Sequence, residues 1–477
     1  MSALQQFVKS NNYFLFIIIF YIMSALQQSR RKLFQVRPTN IGTNVWSFKE
    51  GNPQVEFQLK GAHVAIGKTL RLNGIFECVD SGDRKPSNNI PLTAKPVEKP
   101  SNVSIDSRIG LHSVIENITI NSGNTNRNFE LVKHYNRLIS TLQPKATSQS
   151  SYINGGLDVN GLTSKAAQTG SLCNKQLSFS LPLHAGMLKE NLDLKLLGGL
   201  NIIFDLAPDS FVLSDTNYTD VEDKTALNSS YRLKELVLTY DAIMPTGKAL
   251  TALQNNTSGS FNYTSFTSYF TSIVSADSNH IFNFNASLAS SVLMNFIPSK
   301  WINNYARNSS MATPLLNSAS SIVGTPLTLK AKIKDVTYLR NNQKFPLDFS
   351  IPAKDLTTQT DNPNANLLFE SINAVVVPPE STSALVSPVN VRGFGNVRPN
   401  SDYFATSNAL GSQDPVFDLS IGYDHIQEMG VDMRQTPFGF RVRSTLTNGV
   451  DNPHSVFLFV KQMNTLTIQN GAISTRM

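Results

Sequence analysis

The sequence predicts an all-β protein built as two successive β sandwiches. Three observations carry that expectation: a hydrophobic period of two that recurs from residue 53 onward, turn dipeptides between the alternating stretches, and helical periodicity in only one place. Composition agrees with it. Hydrophobic residues make up 40% of the 477 residues, ample for a sizeable core, and exclude general disorder. Charged residues reach only 16%, against roughly 25% in an ordinary soluble domain, which excludes a coiled coil. The 41 Lys+Arg against 34 Asp+Glu leave a net charge of +7, a mild excess spread over a long chain. Two cysteines, Cys78 and Cys173, cannot make a disulfide framework, and seven scattered histidines do not make a metal protein.

The chain begins with Met1-Ser-Ala-Leu-Gln-Gln6, which recurs as Met23-Ser-Ala-Leu-Gln-Gln28 around an apolar run centred on Tyr13-Phe-Leu-Phe-Ile-Ile-Ile-Phe-Tyr-Ile22. The run falls short of the roughly twenty residues that span a bilayer. Three readings stand: translated upstream sequence with Met23 as the true start, an interfacial segment, or a signal peptide headed by Lys9. All three put residues 1–22 outside the fold. Arg30, Arg31 and Lys32 follow on what reads as a flexible N-terminal arm, residues 1–50. They are candidates for contacting phosphates or an anionic membrane, with a solvated charge cluster as the plain alternative.

Strands then follow in order. Val55, Phe57 and Leu59 alternate with polar residues; Leu70, Leu72, Gly74, Phe76 and Cys78 line one face of the next strand. Ile118 and Ile120 mark a third, Leu177, Phe179, Leu181 and Leu183 a fourth, and Leu192, Leu194 and Leu196 a fifth. After Gly198-Gly199 come Leu200, Ile202, Phe204 and Leu206, and Leu236, Leu238 and Tyr240 close this half. Leu131, Tyr135, Leu138 and Leu142 break the rule with a helical stripe, predicting one short helix over 129–142, capped by Asn126 or Asn128. Residues 249–260 are polar and aperiodic and read as a linker.

The period of two resumes at Phe282, Phe284, Ala286 and Leu288, then Val292, Met294 and Phe296, then Leu327, Leu329, Ala331 and Ile333. Asn341-Asn342 turns the chain into Phe345, Leu347, Phe349 and Ile351; residues 361–366 and 378–388 read as long surface loops. Phe417, Leu419 and Ile421, then Phe440 and Val442, Val456, Leu458 and Val460, and Leu466 and Ile468 complete the set, with turns at Asn448-Gly449 and Asn470-Gly471. About eight strands per half, each needing its apolar face covered, make two tandem eight-stranded jelly rolls the predicted fold, with the short helix in a loop of the first. The expected boundaries are 51–247 for the first jelly roll, 248–262 for the linker and 263–477 for the second.

Catalytic signatures are missing from the sequence. Gly61-Ala-His-Val-Ala-Ile-Gly67-Lys68-Thr69 has five residues between its glycines where a phosphate-cradling loop needs four, and no helix follows. Gly393-Phe-Gly395 is a lone pair of glycines in a loop. There is no Gly-x-Ser-x-Gly elbow and no His-Glu-x-x-His. Asp215, Asn217, Asp220, Glu222 and Asp223 lack the Gly and terminal Glu of a calcium loop and read as an exposed acidic loop. Cys78 faces inward and reads as a small core hydrophobe. Sequons at Asn117 and Asn285 fall within predicted strands, which weighs against secretion. No enzyme activity, cofactor or metal is expected.

Four segments of the first half stand out in order: Ile115-Glu-Asn-Ile-Thr-Ile-Asn-Ser-Gly123 leading into the helix, Leu177-Ser-Phe-Ser-Leu-Pro-Leu183, Leu200-Asn-Ile-Ile-Phe-Asp-Leu-Ala207 and Tyr231-Arg-Leu-Lys-Glu-Leu-Val-Leu-Thr-Tyr-Asp241. In the second half they are Gly430-Val-Asp-Met-Arg-Gln-Thr-Pro-Phe-Gly439 and Gln462-Met-Asn-Thr-Leu-Thr-Ile-Gln-Asn-Gly471. In these segments and their order the chain resembles the double jelly-roll major capsid proteins of virophages and Polinton-like viruses. The resemblance implies a homotrimer with pseudo-hexagonal outline that tiles an icosahedral shell beside neighbouring trimers, penton and minor capsid proteins, with packaged DNA or an internal membrane as a partner of the arm. The low charge fits surfaces buried between copies, because burying unpaired charge is costly. A secreted or surface-attached carbohydrate-binding, adhesin-like β-sandwich protein is the alternative from another class.

Overall fold

In a computed structural model the described residues are 29–40, 44–80, 103–105, 110–142, 176–215, 229–273, 277–282, 288–299, 333–340, 343–344, 351–352, 438–444, 454–470 and 472–476, with 284, 286, 302 and 434 singly. The first half holds β1 Ser29–Val36, β2 Val45–Trp46, β3 Gln54–Leu59, β4 Val64–Ile66, β5 Arg71–Asp80, β6 Val103–Ser104, β7 Ile115–Ser122, β8 Asn128–Val132, β9 Gln176–Pro182, β10 Asn191–Asp193, β11 Leu200–Leu206, β12 Ser214–Asp215 and β13 Ser229–Pro245. Helix α1, Tyr135–Leu142, follows β8, and α2, Gly247–Asn255, follows β13. The second half holds β14 Ser258–Ile273, β15 Asp277–Phe282, β16 Ala289–Pro298, β17 Ile333–Arg340, β18 Gln343–Lys344, β19 Ile351–Pro352, β20 Phe438–Ser444, β21 His454–Gln469 and β22 Ala472–Arg476.

Two antiparallel sheets build the first half. One runs β10-β4-β13-β5-β9 with β1 and β2 added to β13; the other runs β3-β11-β7-β8. Most of the inward residues predicted by alternation are buried, but Leu177 and Leu196 are only partly so and Leu288 is exposed. Val55, Phe57 and Leu59 of β3 meet Ile202 and Phe204 of β11, and Leu72, Phe76 and Cys78 of β5 lie at 0–1% exposure. The seventeen-residue strand β13 serves four neighbours in turn, and a bulge between Lys234 and Val237, with Glu235 at φ 51°, re-aims it between them. The second half repeats the arrangement with β14-β21-β16 plus β22 and β15-β20-β17-β18 plus β19. β21 and β22 pair with Gln469 opposite Ala472, and Asn470 takes φ 51°, the positive angle that a two-residue hairpin demands.

Several expectations are corrected. The helix predicted over 129–142 begins only at Tyr135; Asn128–Val132 is strand, because its backbone pairs with β7, with Ile118 opposite Val132. A spacing of four between Leu131 and Tyr135 fits a strand followed by a turn as well as a helix, and Leu131 is exposed. Leu194 and Leu196 are not strand. Asp193 Oδ1 accepts from the amides of Lys195 and Leu196, closing a turn directly after β10. The stretch 249–260 is neither aperiodic nor a plain linker, since α2 fills its start and β14 begins at Ser258. β14 lacked a signal because its alternation is written in Ser, Thr and Tyr rather than aliphatic residues. The strand expected at 282–288 ends at Phe282, although Phe284 and Ala286 are buried. Val456–Val460 and Leu466–Ile468 form one continuous strand, β21. The predicted features at residues 1–28, 217–223, 327–331, 345–349, 361–366, 378–388, 393–395, 417–421 and 448–449 lie outside the described residues.

The buried cluster of the first half reaches across the seam, whereas Val292, Phe440, Val456, Leu458 and Val460 of the second half are buried outside it. Tyr263 and Phe266 of β14 and Phe457, Phe459, Leu466 and Ile468 of β21 belong to the same buried cluster as Phe129, Tyr135 and Leu138.

Candidate interaction site

The basic triplet does not sit on a flexible arm. Arg30, Arg31 and Lys32 lie in β1, which pairs residue for residue with β13 from Ser29 opposite Pro245 to Val36 opposite Leu238. The anchor is Phe34, whose ring stacks on His63 at 4.3 Å and on Tyr240 at 5.4 Å. His63 Nε2 and the Tyr240 hydroxyl share a hydrogen bond of 3.0 Å beneath it. Burial holds the His63 imidazole below its ordinary pKa and pushes the Tyr240 phenol up to about 12, so both are neutral in this aromatic stack.

The three cations differ in their surroundings. Arg31 forms an ion pair with Asp241, and Lys32 Nζ stands 5.3 Å from the centroid of the Phe34 ring. Arg30 is exposed and makes no ion pair among the described residues. Leu33, opposite Asp241, is 58% exposed, so the strand offers cations and one apolar side chain together. Among the described residues β1 pairs only with β13, leaving its other edge open.

The Gly61–Lys68 stretch is structural. Gly61 takes φ 137° against the His63 ring, β4 follows, and Thr69 Oγ1 donates to Ile66 O at 2.6 Å while accepting from Asp241 N at 2.9 Å. The hydroxyl and backbone groups of this turn are thus turned inward to protein partners. Cys78 is fully buried in the core as expected. Asn117, a sequon residue, donates to Asp205 Oδ2 at 3.2 Å and accepts from His134 N at 3.2 Å within β7. Among the described residues no three His, Cys, Asp or Glu side chains gather to hold a metal, and no helix is long and apolar enough to cross a membrane.

A second polar constellation, not legible in the sequence, lines the seam between the halves. Glu130 of β8 is buried, with Oε1 accepting from Gly186 N at 3.0 Å and Oε2 from Met187 N at 2.8 Å. Tyr263 Oη donates to Phe129 O at 2.7 Å and Ser268 Oγ to Lys133 O at 2.7 Å, and Arg127 donates to the carbonyl of Ile473. The Arg137 guanidinium lies between the rings of Phe211, at 4.7 Å, and Phe457, at 5.2 Å, bridging the halves by cation–π contact. Beside it, the Tyr135 hydroxyl meets His112 Nδ1 at 3.3 Å and accepts from His184 N at 3.1 Å. Burial, with lesser repulsion from Lys189 and Arg71, lowers His184 to about 4, and burial drives His112 well below the ordinary range. Both rings are neutral at physiological pH. The only sequence signal for this seam was an acidic residue inside the apolar run Phe129–Val132, which read as part of a helix.

No protein-family model and no curated protein matches the chain. Solved structures do. The chain is similar to VP54 of PBCV-1, as fitted into a reconstruction of the virophage Sputnik, with 12% identity, a TM-score of 0.56, and 94% of this chain and 97% of that one covered. It is similar to the Faustovirus major capsid protein with 10% identity, a TM-score of 0.56, and 92% and 91% covered. The Sputnik virophage structure aligns at 12% identity and a TM-score of 0.50 over 94% of this chain and 88% of that one. The fold is therefore the double jelly roll, an all-β architecture, along nearly the whole chain.

Proposed function

We propose that the chain is a structural protein, the major subunit of an icosahedral virion shell, and that it assembles as a homotrimer of pseudo-hexagonal outline. The observation that carries this reading is end-to-end likeness to capsid subunits: more than nine-tenths of this chain and of VP54 align. Two properties support it. The two halves are joined by a buried apolar seam, with Phe266, Phe457 and Phe459 of the second half inside the first half's cluster. Charged residues are few, so wide contacts with other copies cost little desolvation. Neighbouring trimers, penton proteins and minor capsid proteins are the partners of such a tile, and its place is the virion. Arg30 and Lys32, held on β1 and aided by Arg31, supply the cationic contact to packaged DNA or an enclosed anionic membrane.

Sizing of the purified protein with multi-angle light scattering and negative-stain electron microscopy tests the reading. The expected species is a trimer of roughly 157 kDa, three times the 52.5 kDa chain, or closed particles. A glycosylated monomer retained on a sugar column would replace this reading with a carbohydrate-binding sandwich.

A further inference from the structure

Strand β1 ends one side of the larger sheet of the first half. Register puts Phe34 opposite Tyr240 and Val36 opposite Leu238, and both side chains pack against the buried cluster, so the strand is anchored on its inner face. Its outer edge is unused. Every second residue of an edge strand points its N–H and C=O away from the ladder, and among the described residues no other strand meets these groups in β1. Along the same edge stand the exposed cations Arg30, Arg31, Lys32 and Arg37, with Leu33 58% exposed among them. Among the described residues Asp241, which holds Arg31, is the one carboxylate paired with any of them.

Charge decides what fits this edge. A second copy of β1 would bring the same cations against it, and residues 1–28 contain no Asp or Glu to offer. A phosphate chain or a lipid surface would neutralise the cations but leave the backbone groups and Leu33 without partners. An extended acidic peptide answers all three features together. We propose that β1 is a docking edge for an acidic, extended segment of a partner protein, which joins the larger sheet as a further strand. Main-chain hydrogen bonds along the free edge hold the segment, and its side chains read β1. Arg31 and Leu33 share one face with Ile243 and Asp241, whereas Arg30 and Lys32 share the other with Met244 and Ala242. An antiparallel segment that places an apolar residue opposite Leu33 therefore continues with three acidic ones, opposite Lys32, Arg31 and Arg30. This goes beyond the shell role: sizing decides that role, and binding at β1 decides this one.

The probe is a fluorescein-labelled peptide, Thr-Val-Thr-Val-Glu-Glu-Glu-Ser, titrated with the full chain while hydrogen exchange is followed at Ser29–Val36. The peptide should bind and slow exchange of the outward amides of β1. Arg30→Ala combined with Lys32→Ala, both exposed positions, should weaken it about tenfold. Versions N-methylated at every second residue, in each of the two phases, keep the charge. One of the two should lose binding and protection, because it cannot complete the ladder. Absence of peptide binding, including the case where only duplex DNA or phosphatidylserine vesicles bind, overturns the proposal. So does binding of both N-methylated versions as tight as the parent, or full protection of every β1 amide in the free chain, which would mean that the edge is already covered.

Discussion

Gly186→Ala isolates the contact between the halves from every other source of stability. Gly186 has φ −61° and ψ −48°, an ordinary helical conformation that alanine favours, so the backbone itself raises no objection to the change. Taken alone, the substitution should stabilise by about 0.4–1 kcal/mol by restricting the unfolded chain. The space forbids it. The new Cβ would lie 1.6 Å from the oxygen and 2.5 Å from the carbon of the Thr264 carbonyl, and 3.1 Å from Glu130 Oε1. The neighbour is β14 backbone, fixed by sixteen residue pairs with β21, and cannot rotate aside as a side chain would. Turn and strand must part by more than an ångström, which strains the Tyr263–Phe129 and Glu130–Met187 hydrogen bonds. Overpacking of this kind costs about 1–3 kcal/mol, so a net loss of roughly 1–2 kcal/mol remains after the chain-entropy gain. Urea unfolding followed by far-ultraviolet circular dichroism and by tryptophan fluorescence, in a Trp301→Phe background so that Trp46 alone reports the first half, measures it. The midpoint should drop, and the two signals should separate as the halves lose their packed seam. A midpoint equal to or above that of the wild type would show that the halves do not press together at Gly186.

Other contacts in the fold carry expectations of their own. Phe34→Ala removes the ring stacked on His63 and Tyr240 and should cost about 2 kcal/mol, freeing β1 to exchange its amides, as hydrogen exchange at Ser29–Val36 would show. Asp241→Asn should change stability by less than about 1 kcal/mol in denaturant titrations, because its partner Arg31 is largely exposed. Stability should fall as pH drops from 6.5 towards 4, since His184 is held at about 4 by burial and must take up a proton on unfolding. His184→Gln should flatten that limb of the stability profile. Asn470→Val should cost about 1 kcal/mol of thermal stability, because Asn470 sits at φ 51° in the β21–β22 turn, an angle a β-branched residue resists, whereas Asn470→Gly should be tolerated.

Much of the fold was legible because alternation reports burial directly. Val55, Phe57 and Leu59, or Leu200, Ile202 and Phe204, could be assigned an inward face from spacing alone, and each is buried. The signal failed where polar residues do the packing. β14 alternates Ser, Thr, Tyr and Phe and is covered by β21 on one edge and β8 across the seam, so its burial depends on partners rather than on its own hydrophobicity. It failed again at Leu131, where hydrogen bonding to β7 overrides a spacing compatible with a helix. The triplet Arg30, Arg31 and Lys32 was found by charge, but its place on an ordered strand was not, because the ring that anchors it, Phe34, binds His63 and Tyr240 from distant parts of the chain.

By itself, then, the sequence determined the architecture: which strands face a core, that there are two sets of them, and that few charges interrupt their surfaces. Only the tertiary structure decided how the halves meet. The seam is made by single residues, Glu130, Arg137, Gly186, Tyr263 and Phe457, brought together from separate strands and turns. Periodicity records which way a side chain faces along one strand, whereas a contact between strands far apart in sequence leaves no period to read.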